Sequence, residues 1–283
     1  MENKSIIFTA FLIGLIVLAF SFVMSGTTPS IEEDMVLYFH LNNDSSIGEN
    51  GTFVVDSSRA SNNGTVIGAV FNTSAGILGD GSYLFDGSND YIDVNHTDSL
   101  DIILQLTIAV WIRHTANTGR DFIVTKRSGT GLPFNYGIEL NLNNLEFWTF
   151  DGDGFFGAIS DVSSDLNKWN HWAVTYNEGN VTLYKNGTRV THSLFEGTNF
   201  PKILNTNTQN VSIGGSNVGG NVFDGDIDEV IIWNRSLTAS EIFDMYTNYA
   251  TPTVTAISPR GGEDTDGIVS FSYNVTDDAD FQP

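Results

Sequence analysis

The chain has 283 residues, enough for one large β-domain or two ordinary ones, and its lack of cysteine removes disulfides, zinc-thiolate sites and thiol catalysis together. Thirty-four acidic residues against 12 basic ones give a formal charge of −22, which argues against nucleic acid or an anionic membrane surface as a partner. Glycine and asparagine, 28 of each, with only 16% charged residues, are the composition of a turn-rich β-protein.

Residues 6–24 form an apolar run broken only by Thr9, Gly14 and Ser21. At about 1.5 Å per residue it reaches roughly the 30 Å of a bilayer core, which fits an uncleaved N-terminal membrane helix. Val23-Met24-Ser25 before Gly26 also offers a cleavage site, so residues 1–26 read as an anchor or as a signal peptide. Lys4 precedes the run and Glu32, Glu33 and Asp34 follow it, so the body is expected on the outside, at the cell surface or secreted.

Asn-x-Ser/Thr sequons agree with export. Ten follow the apolar run, at Asn43, Asn50, Asn63, Asn72, Asn95, Asn180, Asn186, Asn210, Asn234 and Asn274, where chance alone gives roughly five. All ten are candidate glycosylation sites, although Asn-Gly-Thr also makes good turns.

After a spacer at 27–33, the strand signals begin at 36–41. A Gly/Asn/Ser-rich stretch to 68 reads mostly as loop. Strands follow at 83–85, 91–94, 106–113, 122–126, 136–142 and 145–150, the last two joined at Asn143-Asn144. The segment 106–113 is apolar on both faces, as a strand between two layers must be. The loop Asp151-Gly-Asp-Gly-Phe-Phe-Gly157 interrupts the pattern, and strands resume at 172–176, 181–185, 188–192 and 211–214, with a hairpin turn at Asn186-Gly187. Many short strands with regular turns read as a β-sandwich.

Residues 223–246 join an acidic turn, an alternating strand and a helix. Thr238-Ala-Ser-Glu241 is a capping box, with Leu237 and Ile242 at the staple positions, and starts the one soluble helix. Strict alternation puts Asp228 on the side of Val230 and Ile232, half-buried. Such a carboxylate needs either several backbone N–H donors or a bound metal ion. Beyond 249, residues 251–259 read as a linker running into a strand and 267–275 as a second strand. They are too few to bury a core alone.

The stretches Tyr83-Leu-Phe-Asp-Gly-Ser-Asn-Asp-Tyr-Ile-Asp-Val94, Leu106-Thr-Ile-Ala-Val-Trp111, Trp169-Asn-His-Trp-Ala-Val-Thr-Tyr176, Leu183-Tyr-Lys-Asn-Gly187 and Ile213-Gly214, in this order, resemble the laminin-G-like or concanavalin A-like jelly-roll family of prokaryotic surface proteins. The resemblance runs over 34–249, and the tail 250–283 resembles the start of an immunoglobulin-like repeat. It implies an all-β fold: a two-sheet antiparallel jelly-roll sandwich with one short C-terminal helix, preceded here by the membrane helix. It also implies a structural calcium ion near the first loop and the last strand. On this chain the candidates are Asp56, Asn62 and Asp228.

Catalytic constellations are weak. Laminarinase-type relatives carry Glu-x-Asp-x-x-Glu on one strand. The nearest string here is Glu139-Leu-Asn-Leu-Asn-Asn-Leu-Glu146, in which Asn141 stands for the Asp and the second Glu lies across a turn. No nucleophile elbow and no phosphate-cradling loop occurs. Binding is the better reading. Trp111, Trp169 and Trp233 sit in sheet positions, whereas Trp148, Asp151, Asp153, Phe155 and Phe156 match no shared motif and are the candidate ligand contacts. The expected function is non-catalytic binding of an extracellular glycan or surface protein, in adhesion or surface-layer assembly. The alternatives are a structural spacer, or an accessory domain of a glycoside hydrolase.

Overall fold

The computed structural model describes residues 31–79, 81–116, 119–127, 134–150, 155–195, 200–216, 221–250, 254–257 and 272–275. Residues 1–33 and 34–283 are two separate units. Among the described residues no helix is long and apolar enough to cross a membrane, and the apolar run 6–24 lies outside them.

The strands are β1 (Met35–Phe39), β2 (Phe53–Val54), β3 (Gly64–Ile67), β4 (Val70–Asn72), β5 (Ser82–Asp86), β6 (Tyr91–Val94), β7 (Gln105–His114), β8 (Arg120–Arg127), β9 (Phe134–Asn141), β10 (Asn144–Phe150), β11 (Phe155–Asp161), β12 (Asn170–Asn177), β13 (Asn180–Lys185), β14 (Thr188–Arg189), β15 (Ser193–Phe195), β16 (Val211–Ile213) and β17 (Asp224–Trp233). Helix α1 (Ala239–Ala250) follows, then the antiparallel pair β18 (Val254–Ile257) and β19 (Ser272–Val275). Sheet I runs β14-β13-β12-β7-β17-β5-β4, with β1 also on β17; sheet II runs β15-β11-β10-β9-β8-β16-β6-β3-β2.

The core lies between the sheets and is built from alternate residues. From sheet I come Leu106, Ile108, Val110 and Ile112 of β7 with Trp172, Val174 and Tyr176 of β12; from sheet II come Tyr136, Ile138 and Leu140 of β9 with Leu145 and Phe147 of β10. Each large side chain buried there contributes about 1.5–3 kcal/mol. Strand β7 is apolar on its other face because α1 covers it: Trp111 stacks on Tyr246 with ring centroids 5.7 Å apart. The capping box closes as its spacing requires, Thr238 N–H donating to Glu241 Oε2 (2.7 Å) and Glu241 N–H to Thr238 Oγ1 (3.3 Å). Leu237 and Ile242 are both buried beside it.

Three expectations are corrected. The stretch before residue 68 contains β2 and β3, so it is less of a loop than its composition suggests. The two-residue turn between β9 and β10 is Leu142-Asn143, because Asn141 pairs with Asn144 and Leu142 takes φ +54°. Phe155 and Phe156 do not belong to a loop; they open β11, and Phe155 pairs with Phe150.

The fourth correction concerns β17. Its register against β7 shifts between Asp228 and Ile231, and Glu229 takes φ +49°. This one-residue bulge resets the alternation. Ile227, Val230 and Ile232 all face the core, while Asp228 lies opposite Trp111 on the outer face, the side contrary to the one period-two reading gives it.

Candidate ligand-binding face

The strands β8 to β11 form an antiparallel meander whose outward residues fall into layers. Glu139 of β9 lies directly opposite Glu146 of β10, and Glu146 opposite Ile159 of β11. In the next layer Gly137, Trp148 and Gly157 are in line; beyond them Phe150 faces Phe155. Leu145, Phe147 and Ala158 point into the core from these strands, which fixes the outward orientation of the rest.

Trp148 is the centre of this face. A Cβ at position 157 would lie 3.1 Å from three carbons of its ring, so the indole lies across the backbone of Gly157, and any larger residue there would push the ring outward by a few tenths of an ångström. Its N–H donates to Glu146 Oε2 at 2.7 Å, and Phe155 meets it edge-on at 6.4 Å between centroids. The ring remains half-buried. Phe155 also contacts Phe134 (5.8 Å) and Phe150 (5.0 Å). Phe156 turns the other way and packs on the core beside Phe200. The two adjacent phenylalanines are therefore divided between the faces.

Charges frame the plate. Arg120 Nε lies 3.1 Å from Glu139 Oε1, its Nη2 3.8 Å from Glu146 Oε2, and its Cζ 5.9 Å from the Trp148 centroid. Its side chain is 41% exposed, whereas that of Glu139 is 2% exposed. Arg127 is sandwiched between Phe122 and Phe134 at 4.7 and 4.9 Å and reaches Glu139 Oε2 at 3.6 Å. Burial pushes the Glu139 carboxyl up to about 7, against the pull of Arg120 and Arg127, and Glu146 pushes it the same way. Asn141 Nδ2 donates to Glu146 Oε1 at 3.2 Å. Both carboxylates are engaged with arginines, an amide or the indole, so they hold the rim of the plate in place.

Polar atoms without partners collect nearby. Among the described residues Asn135 is fully buried with neither Oδ1 nor Nδ2 hydrogen-bonded, and Thr125 Oγ1 and Arg127 Nε are also buried without a hydrogen-bond partner. Each such atom costs about 1–3 kcal/mol. Of the expected ligand contacts, then, the structure brings together Trp148 and Phe155, sends Phe156 to the core, and leaves Asp151 and Asp153 outside the described residues. Arg120, Arg127 and Glu139 were not among the expected contacts; two arginines at the ends of one strand, in so acidic a chain, were the available signal.

The residues expected to share calcium are placed differently. Asp56 Oδ1 accepts the N–H groups of Tyr38 (2.8 Å) and Ser58 (2.9 Å); Oδ2 accepts Asn62 N–H (2.7 Å) and Ser58 O–H (2.8 Å). Asn62 donates to Val36 O and Ser99 Oγ and accepts from Thr97 Oγ1. Asp228 accepts the amides of Ile77 (2.8 Å) and Glu229 (3.0 Å), and that of Leu78 also bonds to it. Burial first, and then the Glu229 charge, push the Asp228 carboxyl well above the usual carboxylate range, with these amides pulling against them. Calcium takes six to eight oxygens, and these oxygens already face protein donors, so the three residues as placed do not fit a shared ion. His96, Asp98 and Asp101 are the one close group of ligand-type side chains among the described residues. There, however, the buried Lys126 ammonium lies 3.1 Å from His96 Nδ1 and 3.3 Å from Asp101 Oδ1 and donates to the Asn207 and Gln209 carbonyls, filling the cation position.

Solved structures with a similar fold include toxin binding domains. The binding domain of Paraclostridial Mosquitocidal Protein 1 matches with a TM-score of 0.61 and 18% identity over 80% of this chain and 55% of that one. The binding domain of Botulinum neurotoxin DC matches in complex with rat synaptotagmin II (0.58, 15%, 78% and 52%) and with SialylT (0.57, 15%, 80% and 54%). The chain spans about half the length of these structures, and at such identity the likeness is one of fold. The family model for concanavalin A-like lectins and glucanases matches residues 86–243, more than half of the chain and the whole course of the strands from β6 to β17. The chain belongs to the concanavalin A-like lectin/glucanase superfamily, in its laminin-G-like branch.

Proposed function

We propose that this chain is a non-catalytic binding module of the cell exterior whose β8–β11 face takes a glycan, with Trp148 as the stacking platform. The observation that carries the reading is the half-buried indole lying across Gly157, with its N–H fixed by Glu146. Sugar rings stack their C–H faces on such a plane, and the exposed Arg120 guanidinium supplies donors for hydroxyls at its edge. The unpartnered polar atoms of Thr125, Asn135 and Arg127 lend support, as does the presence of SialylT in one fold neighbour. The neighbour with synaptotagmin keeps a protein ligand as the second reading. The test is a glycan array probed with the full chain, with and without calcium, followed by Trp148→Ala. Binding that falls at least tenfold in the variant, with the chain still folded and its melting temperature lowered by no more than about 4 °C, supports the site. Absence of binding to every glycan favours a protein ligand or a spacer.

Around this module the same reading places an N-terminal anchor or signal at 1–26 and the start of an immunoglobulin-like repeat at 250–283. Adhesion or surface-layer assembly is the role such an arrangement serves.

A further inference from the structure

Nine of the ten sequon asparagines that follow the apolar run have described side chains, and their amides fall into distinct classes. Three are locked into the fold. Asn72 Nδ2 donates to Asp226 Oδ1 at 2.8 Å, and Asp226 is 1% exposed. Asn186 Nδ2 donates to Asn170 Oδ1 (3.0 Å) while its Oδ1 accepts His171 N–H (2.9 Å). Asn210 Nδ2 donates to Asp93 Oδ2 (2.8 Å) while its Oδ1 accepts His96 N–H (3.0 Å). All three are half-buried, so no sugar carbon can be attached to Nδ2 without expelling a neighbour.

Asn50, Asn63, Asn95 and Asn234 differ. Each is exposed, and no Nδ2 among them makes a hydrogen bond to the described residues, the bonds of Asn50 and Asn63 all running through Oδ1. The carbonyl oxygens of Asn50 and Asn63 accept backbone N–H groups from Thr52 and Asp56, which orients each amide with its nitrogen outward. Asn43 and Asn180 lie between the classes, the first half-buried and the second holding Asn177 O at 3.1 Å.

We infer that the folded protein carries N-linked oligosaccharides at Asn50, Asn63, Asn95 and Asn234, and none at Asn72, Asn186 or Asn210. In the reaction the amide nitrogen attacks the anomeric carbon of a glycosyl diphosphate donor. The C–N bond forms, the bond from that carbon to the phosphate oxygen breaks, and one amide proton is lost to a base. The positions are not scattered. Asn63 precedes β3 and Asn95 follows β6, flanking the Gly64–Val94 pair, and Asn50 bridges to Phe53 of β2. Three of the four glycans therefore sit at the β2–β3–β6 side of sheet II, beyond β16 from the Trp148 face. No sequon asparagine occurs within residues 96–179, which carry β7 to β12. The coat leaves the β8–β11 face bare. The inference rests on amide geometry and does not need that face to bind a glycan.

Glycopeptide mass spectrometry of the full chain purified from its own cells tests it. The expected result is glycan mass on the peptides containing Asn50, Asn63, Asn95 and Asn234, and unmodified Asn72, Asn186 and Asn210. Asn63→Gln should remove one glycan from the intact mass and Asn72→Gln none. Glycan on any of the three locked asparagines, or an intact mass equal to that of the bare chain, overturns it. A bare chain that still bound on the glycan array would leave the binding reading standing, so the two fail separately.

Discussion

The outer faces of the two sheets use the same residue types to opposite ends. Sheet I has Trp111, Asp226 and Asp228; sheet II has Trp148, Glu139 and Glu146. On sheet I these three side chains are enclosed. Trp111 is fully buried under α1, Asp226 accepts from Arg113 Nε (3.1 Å), Nη2 (2.9 Å), Asn72 and Ser82, and Asp228 accepts backbone amides. On sheet II the tryptophan is half-buried, and the acids hold guanidinium groups, one of them exposed. Polar atoms of Asn135 and Thr125 also go without partners there. Unpartnered polar atoms do not by themselves separate the faces, since His171 Nδ1, between Trp111 and Tyr246 on sheet I, is also buried without a hydrogen-bond partner among the described residues. What separates them is burial, Trp111 being fully enclosed and Trp148 half-buried beside an exposed guanidinium. The contrast predicts stability effects on one face and binding effects on the other.

The sharpest test compares the two tryptophans. Trp111→Ala should cost about 3–5 kcal/mol of stability, as large aromatic truncations in a packed layer do. Trp148→Ala should cost about 1 kcal/mol or less while abolishing ligand capture, since its ring loses mainly a surface seat. Chemical denaturation gives both numbers. Equal losses would erase the distinction between the faces.

The acids give the next largest effect, through pH. The folded-state pKa of Glu139, about 7, lies above its ordinary value of 4.5, so the native state holds more protons than the unfolded one between those values. Stability therefore falls as pH rises through that window, by about 3 kcal/mol in total at roughly 1.4 kcal/mol per unit. Asp121, pushed up to about 6 by burial and by Asp224, slopes the same way. Glu139→Gln isolates the first contribution. Its stability between pH 4.5 and 7.5 should fall less steeply than that of the natural chain by about that amount. An unchanged slope would place Glu139 in a wetter setting than its 2% exposure indicates.

How much of this was legible depends on what travels along the chain and what only crosses it. Strand β6 and the Asn186-Gly187 turn follow from local pattern, and α1 starts where its capping box says. The bulge at Asp228-Glu229 does not, because a single extra residue leaves no mark in an alternating sequence and yet swaps every later face. Strand β11 was hidden for a related reason. Gly157 looks like loop composition, but it is there to admit the Trp148 ring from the neighbouring strand. The opposition of Glu139 and Glu146 hung on which residues turn, and Leu142 at φ +54° is not a residue that announces one. The arginine partners of Glu139 come from β8, a long-range pairing that no spacing encodes.

The smallest expected effect is a null one, and it tests the enclosed face. Calcium shared by Asp56, Asn62 and Asp228 would require oxygens that now accept seven hydrogen bonds from protein donors, the Leu78 amide apart. Chelator should leave the melting temperature unchanged, and added calcium should raise it by less than about 1 °C, since ligand stabilisation needs a site free to bind. Asp228→Ala should still destabilise, by about 1–3 kcal/mol, because the Ile77 and Leu78 amides lose their acceptor whether or not calcium is present. A calcium-dependent rise in melting temperature that this variant abolishes would instead make Asp228 a ligand. The amides of Ile77 and Leu78 would then have to give way to the ion, and the enclosed face would no longer be closed by protein donors alone.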